Sequence, residues 1–307
     1  MPLVAVVMGG ASAEREISLQ TGEGVRQALE SLGYRTVTLD FDSSFVDRIR
    51  ALSPDVVFNA LHGGAGEDGT VQAILEWLGV PYQGSGVRAS AIAMDKWISK
   101  AVMRAAGIPT PEAVELGVEG ASAVPMPSAF PLPFVVKPRS EGSAVGVTVV
   151  RSPAEWPDAV KAATSPSGRI LVEAYVAGRE FTVAVLGRDA LPVIEIAPSD
   201  EFYSYHAKYT PGASRHTVPA KLDGGVAARM QAHALALHAA IGARDCSRTD
   251  IMMDAAGDLW ILECNTLPGL TALSLFPEAA AAAGIGYEAL VERLVRAALD
   301  RGPVTAS

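Results

Sequence analysis

The first third of the chain alternates uninterrupted apolar runs with helical spacing, and this pattern limits what the chain can fold into. Residues 3–8 (Leu-Val-Ala-Val-Val-Met) contain no polar side chain and end at Gly9-Gly10. Between 16 and 32, Ile17, Val25, Ala28, Leu29 and Leu32 fall at helical spacing, and Gly33 supplies a stop. Residues 34–39 read as a strand, and 55–61 as a further apolar strand ending in His62-Gly63-Gly64-Ala65-Gly66. Strands that are apolar throughout need cover on both faces, so the pattern specifies a parallel sheet wrapped by helices. Such sheets bind ligands beyond the carboxyl ends of their strands. Gly9-Gly10 and residues 62–66 both fall at such ends.

After the first third the style changes. A helix is predicted over 95–106, with Gly107, Pro109 and Pro111 just beyond it, and 118–133 is a connection rich in Pro, Ser and Ala. Short β-branched stretches at 134–137, 145–150, 169–173, 181–186 and 191–196 predict antiparallel strands with few helices between them. Residues 198–222 are polar, aromatic and irregular, a length of loop usually functional or disordered. Helical spacing returns at 225–241. A hairpin follows, 249–253 with 259–263 around Asp254-Ala255-Ala256-Gly257, and a last helix at 287–299. No internal repeat is present. At roughly 100–200 residues per domain, 307 residues make two or three domains, of α/β and then α+β character.

Composition closes off other classes. Apolar residues are 49 % of the chain and charged ones 19 %, ample for a core and unlike a disordered chain. The 25 basic and 34 acidic residues leave a net charge of −9, so no global basic footprint for nucleic acid exists, and an anionic ligand must meet a local cluster of Lys and Arg. The N-terminal apolar run is too short for a signal peptide and no run approaches the ~18 residues of a membrane span, which predicts no membrane partner. Cys246 and Cys264 show no CxxC spacing and are expected to be reduced, in a cytoplasmic protein.

Three segments carry chemistry. Asp250 lies in one strand of the predicted hairpin, and Glu263 and Asn265, two apart and so on one face, end the other. Two carboxylates and an amide oxygen suit a hard ion such as Mg²⁺; solvated acids at strand ends are the alternative. Lys137-Pro138-Arg139-Ser140-Glu141-Gly142-Ser143-Ala144-Val145-Gly146 places a lysine at a strand end before a Gly- and Ser-containing turn. Such a turn can aim backbone N–H groups at phosphate oxygens, or it can be an ordinary hairpin. It is no Walker A loop, which needs Gly-Lys-Ser/Thr opening a helix. Glu173-Ala174-Tyr175-Val176 can offer backbone groups to an adenine, with Glu180 near a ribose, or can simply join two strands.

Together the segments carry a resemblance. Gly9-Gly10-Ala11-Ser12-Ala13-Glu14-Arg15-Glu16-Ile17-Ser18, Leu61-His62-Gly63 with Gly66-Glu67-Asp68-Gly69, and Met94-Asp95-Lys96 come first. Val136-Lys137-Pro138 with Glu141-Gly142-Ser143, Glu180-Phe181-Thr182-Val183, and Tyr203-Ser204-Tyr205-His206-Ala207-Lys208-Tyr209 follow. Arg248-Thr249-Asp250 and Glu263-Cys264-Asn265-Thr266-Leu267-Pro268-Gly269-Leu270-Thr271 complete the set. In order and spacing, almost end to end, the chain resembles the D-alanine–D-alanine ligases of the ATP-grasp superfamily.

The resemblance implies a three-domain ATP-grasp architecture. A parallel-sheet α/β domain at 1–95 would precede two antiparallel-rich domains, 96–180 and 181–307, that sandwich ATP, with a mobile loop at about 198–222. It implies ATP-dependent joining of two D-alanines through a D-alanyl phosphate, for peptidoglycan precursors, by a cytoplasmic homodimer. Lys96, Lys137 and Lys208 match phosphate-contacting lysines, and Glu141, Gly142 and Ser143 a phosphate-covering turn. Glu173, Ala174, Tyr175, Val176 and Glu180 match the nucleotide-holding segment. Asp250, Glu263 and Asn265 match ligands of Mg²⁺ (two ions, or Mn²⁺). Arg248 and the Gly269 N–H match the donors to the tetrahedral oxyanion; an ion pair with Asp250 or Glu263 is the alternative for Arg248. Glu14 matches the group that holds the first ammonium, and His62 a histidine near it. Ser274 matches the binder of the second carboxylate, with helix capping as its alternative. Tyr203 matches a loop tyrosine that bonds with Glu14 and Ser143.

Ala144 and Leu273 depart from the pattern, standing where relatives carry serine and histidine. Within the class, a ligase that takes D-lactate or another amino acid second is the rival. A dinucleotide oxidoreductase lacks its Gly-x-Gly-x-x-Gly here, since Gly9 and Gly10 are adjacent and Ser12 follows. A non-catalytic binding module would not need Arg248, Asp250, Glu263 and Asn265 together.

Overall fold

β1 (Leu3–Met8) lies between β2 (Arg35–Asp40) and β3 (Val56–Asn59), and all three run parallel. Side chains alternate along β1, so Val4 and Val6 enter one core while Ala5 and Val7 enter another. On one face, α1 (Arg15–Ser31) contributes Val25, Ala28 and Leu29. On the other, α2 (Phe45–Leu52) and α3 (Thr70–Leu78) contribute Phe45, Ile49, Val71 and Leu75. Each of these buried Val, Leu, Ile and Phe side chains is worth roughly 1.5–3 kcal/mol, which is why a strand apolar on both faces is stable here. The computed structural model describes residues 1–118, 124–165, 167–198 and 214–303.

α4 (Val87–Met94) and α5 (Lys96–Ala105) lead away from this sheet. A second, antiparallel sheet has the order β4 (Ala113–Gly117), β7 (Arg169–Ala174), β5 (Phe134–Pro138), β6 (Thr148–Val150). α6 (Trp156–Ala163) covers it, with Trp156 edge-on to Phe134 at 5.9 Å between ring centroids.

The third sheet is antiparallel and runs β11 (Ser214–Thr217), β10 (Ile194–Pro198), β8 (Gly178–Leu186), β12 (Cys246–Asp254), β13 (Leu259–Asn265), with β9 (Asp189–Ala190) on β8. Phe181, Val183 and Val185 of β8 pack against α7 (Val226–Ile241), and Ala93 of α4 and Met103 of α5 join the same core. α8 (Leu275–Ala282) and α9 (Tyr287–Arg301) return the chain to the first sheet, where Leu290, Val291, Leu294, Val295 and Ala298 share the core of Val4 and Val6.

Several elements differ from expectation. The strand expected at 145–150 is only Thr148–Val150, because the preceding turn runs on through Val147: Val145 N–H donates to the Gly142 carbonyl, Val147 N–H to the Ala144 carbonyl, and Gly146 takes a left-handed angle (φ 70°) that no strand accommodates. The strand expected at 191–196 is Ile194–Pro198. Ser214–Thr217, expected to be irregular, pairs with that strand through Glu195↔Thr217. Helices α2, α3, α4, α6 and α8 were absent from the expectation, since each spans only 8–9 residues and gives the 3.6-residue period little length to show. No helix among the described residues is long and apolar enough to cross a membrane. Cys246 and Cys264 are free and buried.

Candidate active site

Between the second and third sheets lies a cleft of about 490 Å³. Val135, Val147, Val149, Ile196, Met252 and Leu262 make its walls apolar, and Lys96, Lys137, Glu141, Glu173, Glu180, Asp250 and Glu263 bring charge to it. Ala174, Tyr175 and Val176 border it where β7 passes to β8.

Lys96 opens α5. Asp95 caps that helix by accepting from the Ile98 N–H at 3.1 Å, and Arg139 grips both Asp95 oxygens with Nε at 2.9 Å. The Lys96 N–H donates to the Arg139 carbonyl at 3.0 Å. The helix start is therefore tied to the end of β5, two residues past Lys137. The Lys96 ammonium contacts the Glu141 carbonyl and lies 3.6 Å from Glu263 Oε2. Lys137 Nζ pairs with Glu173 Oε1 at 2.9 Å, and Lys100 pairs with the other oxygen. Burial pushes the Glu173 carboxyl up, but Lys137 and Lys100 outweigh it and hold it below the usual range.

Asp250 and Glu263 are direct partners in the β12–β13 ladder, and the register slips just after Asp250. The bulge lets adjacent Leu262 and Glu263 both line the cleft, as bulges beside sites often do. Asp250 accepts from Thr182 Oγ1 at 2.6 Å, from Arg248 Nε and Nη2 at 3.0 and 2.9 Å, and from Asn265 Nδ2 at 3.3 Å. The Arg248–Asp250 ion pair, the alternative raised for that arginine, is thus present. The same arginine also lines the neighbouring pocket. Among the described residues no three His, Cys, Asp or Glu side chains gather as a metal cage. Two facing carboxylates and an amide, with cleft space beside them, fit a hard cation that completes its shell with ligand oxygens.

A smaller pocket of about 70 Å³ adjoins the cleft at the Glu141–Ser143 turn. Glu14, His62, Glu67, Gly142, Ser143, Arg248, Asn265, Gly269 and Ser274 line it. Ser143 Oγ donates to Glu14 Oε1 at 2.5 Å, joining the turn to the start of α1. A Cβ on Gly63 would sit 2.7 Å from Ser12 Oγ and 2.8 Å from Glu14 Oε2, on a left-handed backbone (φ 66°) that favours glycine, and a Cβ on Gly269 would sit 2.8 Å from Ser274 Oγ and push that hydroxyl aside. Ser274 stands at the N-cap of α8 but its hydroxyl caps no helical N–H; it lies 3.0 Å from the Thr271 N–H, which it accepts.

The pocket's titratable groups are set apart. Burial pulls His62 down to about 4 against the pull of Glu14, and its Nε2 lies 2.9 Å from Thr21 Oγ1. Burial pushes Glu67 up to about 7, against the Gly63 N–H that donates to it at 2.7 Å. Near neutral pH the imidazole is uncharged.

Each candidate residue within the described residues thus lines one of these two cavities. Tyr203 and Lys208 lie outside the described residues. Sequence reasoning gave no role to Glu67, Thr182 or Lys100. Glu67 stood inside a quoted motif, and Lys100 lies one helical turn after Lys96, which puts both lysines on one helix face.

Comparison with known proteins gives a consistent answer. Residues 102–296 match the family model described as D-ala D-ala ligase C-terminus, and 45–85 match D-ala D-ala ligase N-terminus. A D-alanine–D-alanine ligase of Ruegeria pomeroyi is 48 % identical over 304 residues, covering 98 % of this chain and 97 % of the relative. One from Synechococcus sp. (strain JA-3-3Ab) is 44 % identical over 309 residues, covering 99 % and 96 %. The crystal structure of the Bacillus anthracis D-alanine–D-alanine ligase complexed with ATP superimposes with a TM-score of 0.86 at 32 % identity, over 98 % of each chain. The chain belongs to the D-alanine–D-alanine ligase family.

Proposed function

We propose, from membership of the D-alanine–D-alanine ligase family, the following course for the reaction. The chain joins two D-alanines, the reaction for which its relatives are named, with ATP, the nucleotide bound in the Bacillus anthracis ligase structure, in the service of peptidoglycan precursor synthesis. A carboxylate oxygen of the first D-alanine attacks the γ-phosphorus of ATP, the bond to the β–γ bridging oxygen breaks, and ADP leaves. The amine of the second, having lost a proton, attacks the acyl carbon. The tetrahedral oxyanion then collapses: the carbon–oxygen bond to phosphate breaks, the attacking nitrogen gives its second proton to the departing phosphate, and the dipeptide remains.

The observation that carries this reading is the junction of the two cavities. A cleft of about 490 Å³ with apolar walls meets a polar pocket of about 70 Å³ at one ladder, Arg248, Asp250, Glu263 and Asn265. Lys96 and Lys137 meet phosphate oxygens, Gly142 and Ser143 cover them, and Glu173 to Val176 with Glu180 hold the base and ribose. Glu14, kept in place by Ser143, accepts from the first ammonium, with neutral His62 beside it. Arg248 and the Gly269 N–H stabilise the oxyanion, preorganised donors being worth most where charge develops. Ser274 meets the second carboxylate. Tyr203 and Lys208 belong to the proposed closing loop, which would protect the acyl phosphate from water.

Asp250, Glu263 and Asn265 would hold Mg²⁺, as two ions, or Mn²⁺ in its place; when bound, the metal supplies charge neutralisation to the phosphates. A division into three parts, 1–95, 96–180 and 181–307, and a cytoplasmic homodimer complete the proposal.

The test is phosphate release and dipeptide formation by the purified chain with ATP, Mg²⁺ and D-alanine. Release dependent on D-alanine, with dipeptide in equal amount, is expected. Background release sinks the reading, and faster ester formation when D-lactate is added as the second substrate would move it to the rival specificity.

A further inference from the structure

Lys96 and Lys100 point from the same face of α5, yet only Lys96 reaches the cleft. Lys100 has no exposed surface, and its ammonium contacts Glu173, Thr110 Oγ1 at 2.7 Å and the Pro111 carbonyl at 3.0 Å. An ammonium has three N–H donors, and three oxygens surround this one. A buried charge is costly unless paired and hydrogen-bonded, and a methionine would fill the same space without that cost. The chemistry assigned above makes no use of Lys100.

Its use lies in what it does to Glu173. That carboxylate is shared: one oxygen meets Lys137 at 2.9 Å and the other meets Lys100 from behind the cleft wall. Two cations on one anion leave the cluster with one net positive charge. Remove Lys100 and the remaining pair is neutral, with Lys137 bound one-to-one to its own counter-ion. A polyanion in the cleft would then face a cation already spent on Glu173.

We propose that Lys100 is a positioning residue for the nucleotide: by balancing Glu173 from behind, it keeps the Lys137 charge available to a phosphate and seats the Glu173–Val176 segment against β5. The inference rests on the ATP reading above. Burial pulls the Lys100 ammonium down to about 8 against the attraction of Glu173, so it still carries its charge near neutral pH.

The test uses the full chain carrying Lys100→Met, with binding of a non-hydrolysable ATP analogue by calorimetry and steady-state constants for both substrates. Nucleotide affinity should fall roughly 10- to 100-fold, the range spanned by a charge-assisted hydrogen bond. KM for ATP should rise with it, while KM for D-alanine and kcat at saturating ATP move less than about threefold. The double variant Lys100→Met/Glu173→Gln, which keeps the backbone groups that the 173–176 segment offers the base, should bind the analogue more tightly than Lys100→Met, because no carboxylate remains to cancel Lys137. Unchanged affinity in Lys100→Met overturns the proposal, and so does an equal loss across both substrates and kcat that follows a lowered Tm. If Lys100→Met does not fold, the double variant is compared with Glu173→Gln alone. The two should bind the analogue alike, and a tenfold difference overturns the proposal. A wild-type chain that fails to bind the analogue refutes the ATP reading instead.

Discussion

The large cleft and the small pocket share one ladder of residues but are built on different physics. The cleft holds about 490 Å³ between walls of valine, isoleucine, methionine and leucine, with its charges gathered as ion pairs on strands and on the first turns of α5. The pocket holds about 70 Å³, and most of its wall is polar side chain or backbone. A ligand with a broad apolar plane can be held by area, and losing one contact there costs affinity. A zwitterion of a few atoms has little area to give, so it must be held by charge, and charge that develops during reaction has to be met in the same few ångströms. Substitutions in the cleft should therefore weaken nucleotide binding, and those in the pocket should act on rate or on the amino acids.

The largest test of that contrast is Arg248→Ala. Arg248 stands at the junction, lining the pocket while both its Nε and Nη2 hold Asp250. Loss of an oxyanion donor typically costs roughly 10²–10³ in turnover, so kcat should fall by that much while nucleotide affinity changes far less. Equal losses in kcat and in nucleotide affinity would place Arg248 with the cleft. Near-normal turnover would remove it from the oxyanion role and leave only its ion pair.

Glu67→Gln probes the pocket through pH, and the signs can be worked out. His62 has its folded value near 4 against 6.5 ordinarily, so between those values the unfolded chain binds more protons and stability falls as pH falls. Glu67 is the reverse: folded near 7 against 4.5, it takes up its proton first in the folded state, and stability rises as pH falls through that window. The two oppose each other in the wild type. In Glu67→Gln the histidine stands alone, so urea unfolding from pH 7 to 4 should show the variant losing roughly 2–3 kcal/mol relative to the wild type. Parallel curves would mean that burial does not set these two groups apart.

Much of this arrangement is legible in the order of residues alone. The apolar runs at 3–8 and 55–61 specify the parallel sheet, and the motifs contain the charged lining of the cleft at Lys96, Lys137, Glu141, Glu173, Glu180, Asp250 and Glu263 and most of the small pocket, whereas the apolar cleft walls (Val135, Val147, Val149, Ile196, Met252 and Leu262) lie outside them. What escapes does so for physical reasons. Val145, Val147, Val149 and Val150 make 145–150 read as a strand, but the turn that closes through Val145 N–H to Gly142 and Val147 N–H to Ala144 runs further than composition shows and leaves only Thr148–Val150 to pair. The α2, α3, α4, α6 and α8 helices are too short for periodicity to outweigh local composition. Lys100 gives no sign of its burial because a lysine on an amphipathic helix normally faces water; only the positions of Glu173, Thr110 and Pro111, up to 73 residues away in sequence, make burial of this one tolerable. Glu67 carries no signal beyond its place in a glycine-rich turn, since its raised proton affinity comes from burial.

The smallest effect, and the one that separates the two cavities most cleanly, belongs to Ser143→Ala. Ser143 sits in the turn that borders both, its backbone beside the cleft's Glu141 and its hydroxyl on Glu14 at 2.5 Å. Alanine keeps the backbone N–H groups and removes only the hydroxyl. If the turn serves phosphate through its backbone and the amino acid through that hydroxyl, the substitution should raise KM for D-alanine about tenfold, near the lower end of what a hydrogen bond to a charged group contributes. Nucleotide affinity should hold within about twofold. A fall in nucleotide affinity matching the change in KM would mean that the hydroxyl serves the phosphates as well, and the division between cleft and pocket would then run through Glu14 rather than through the turn.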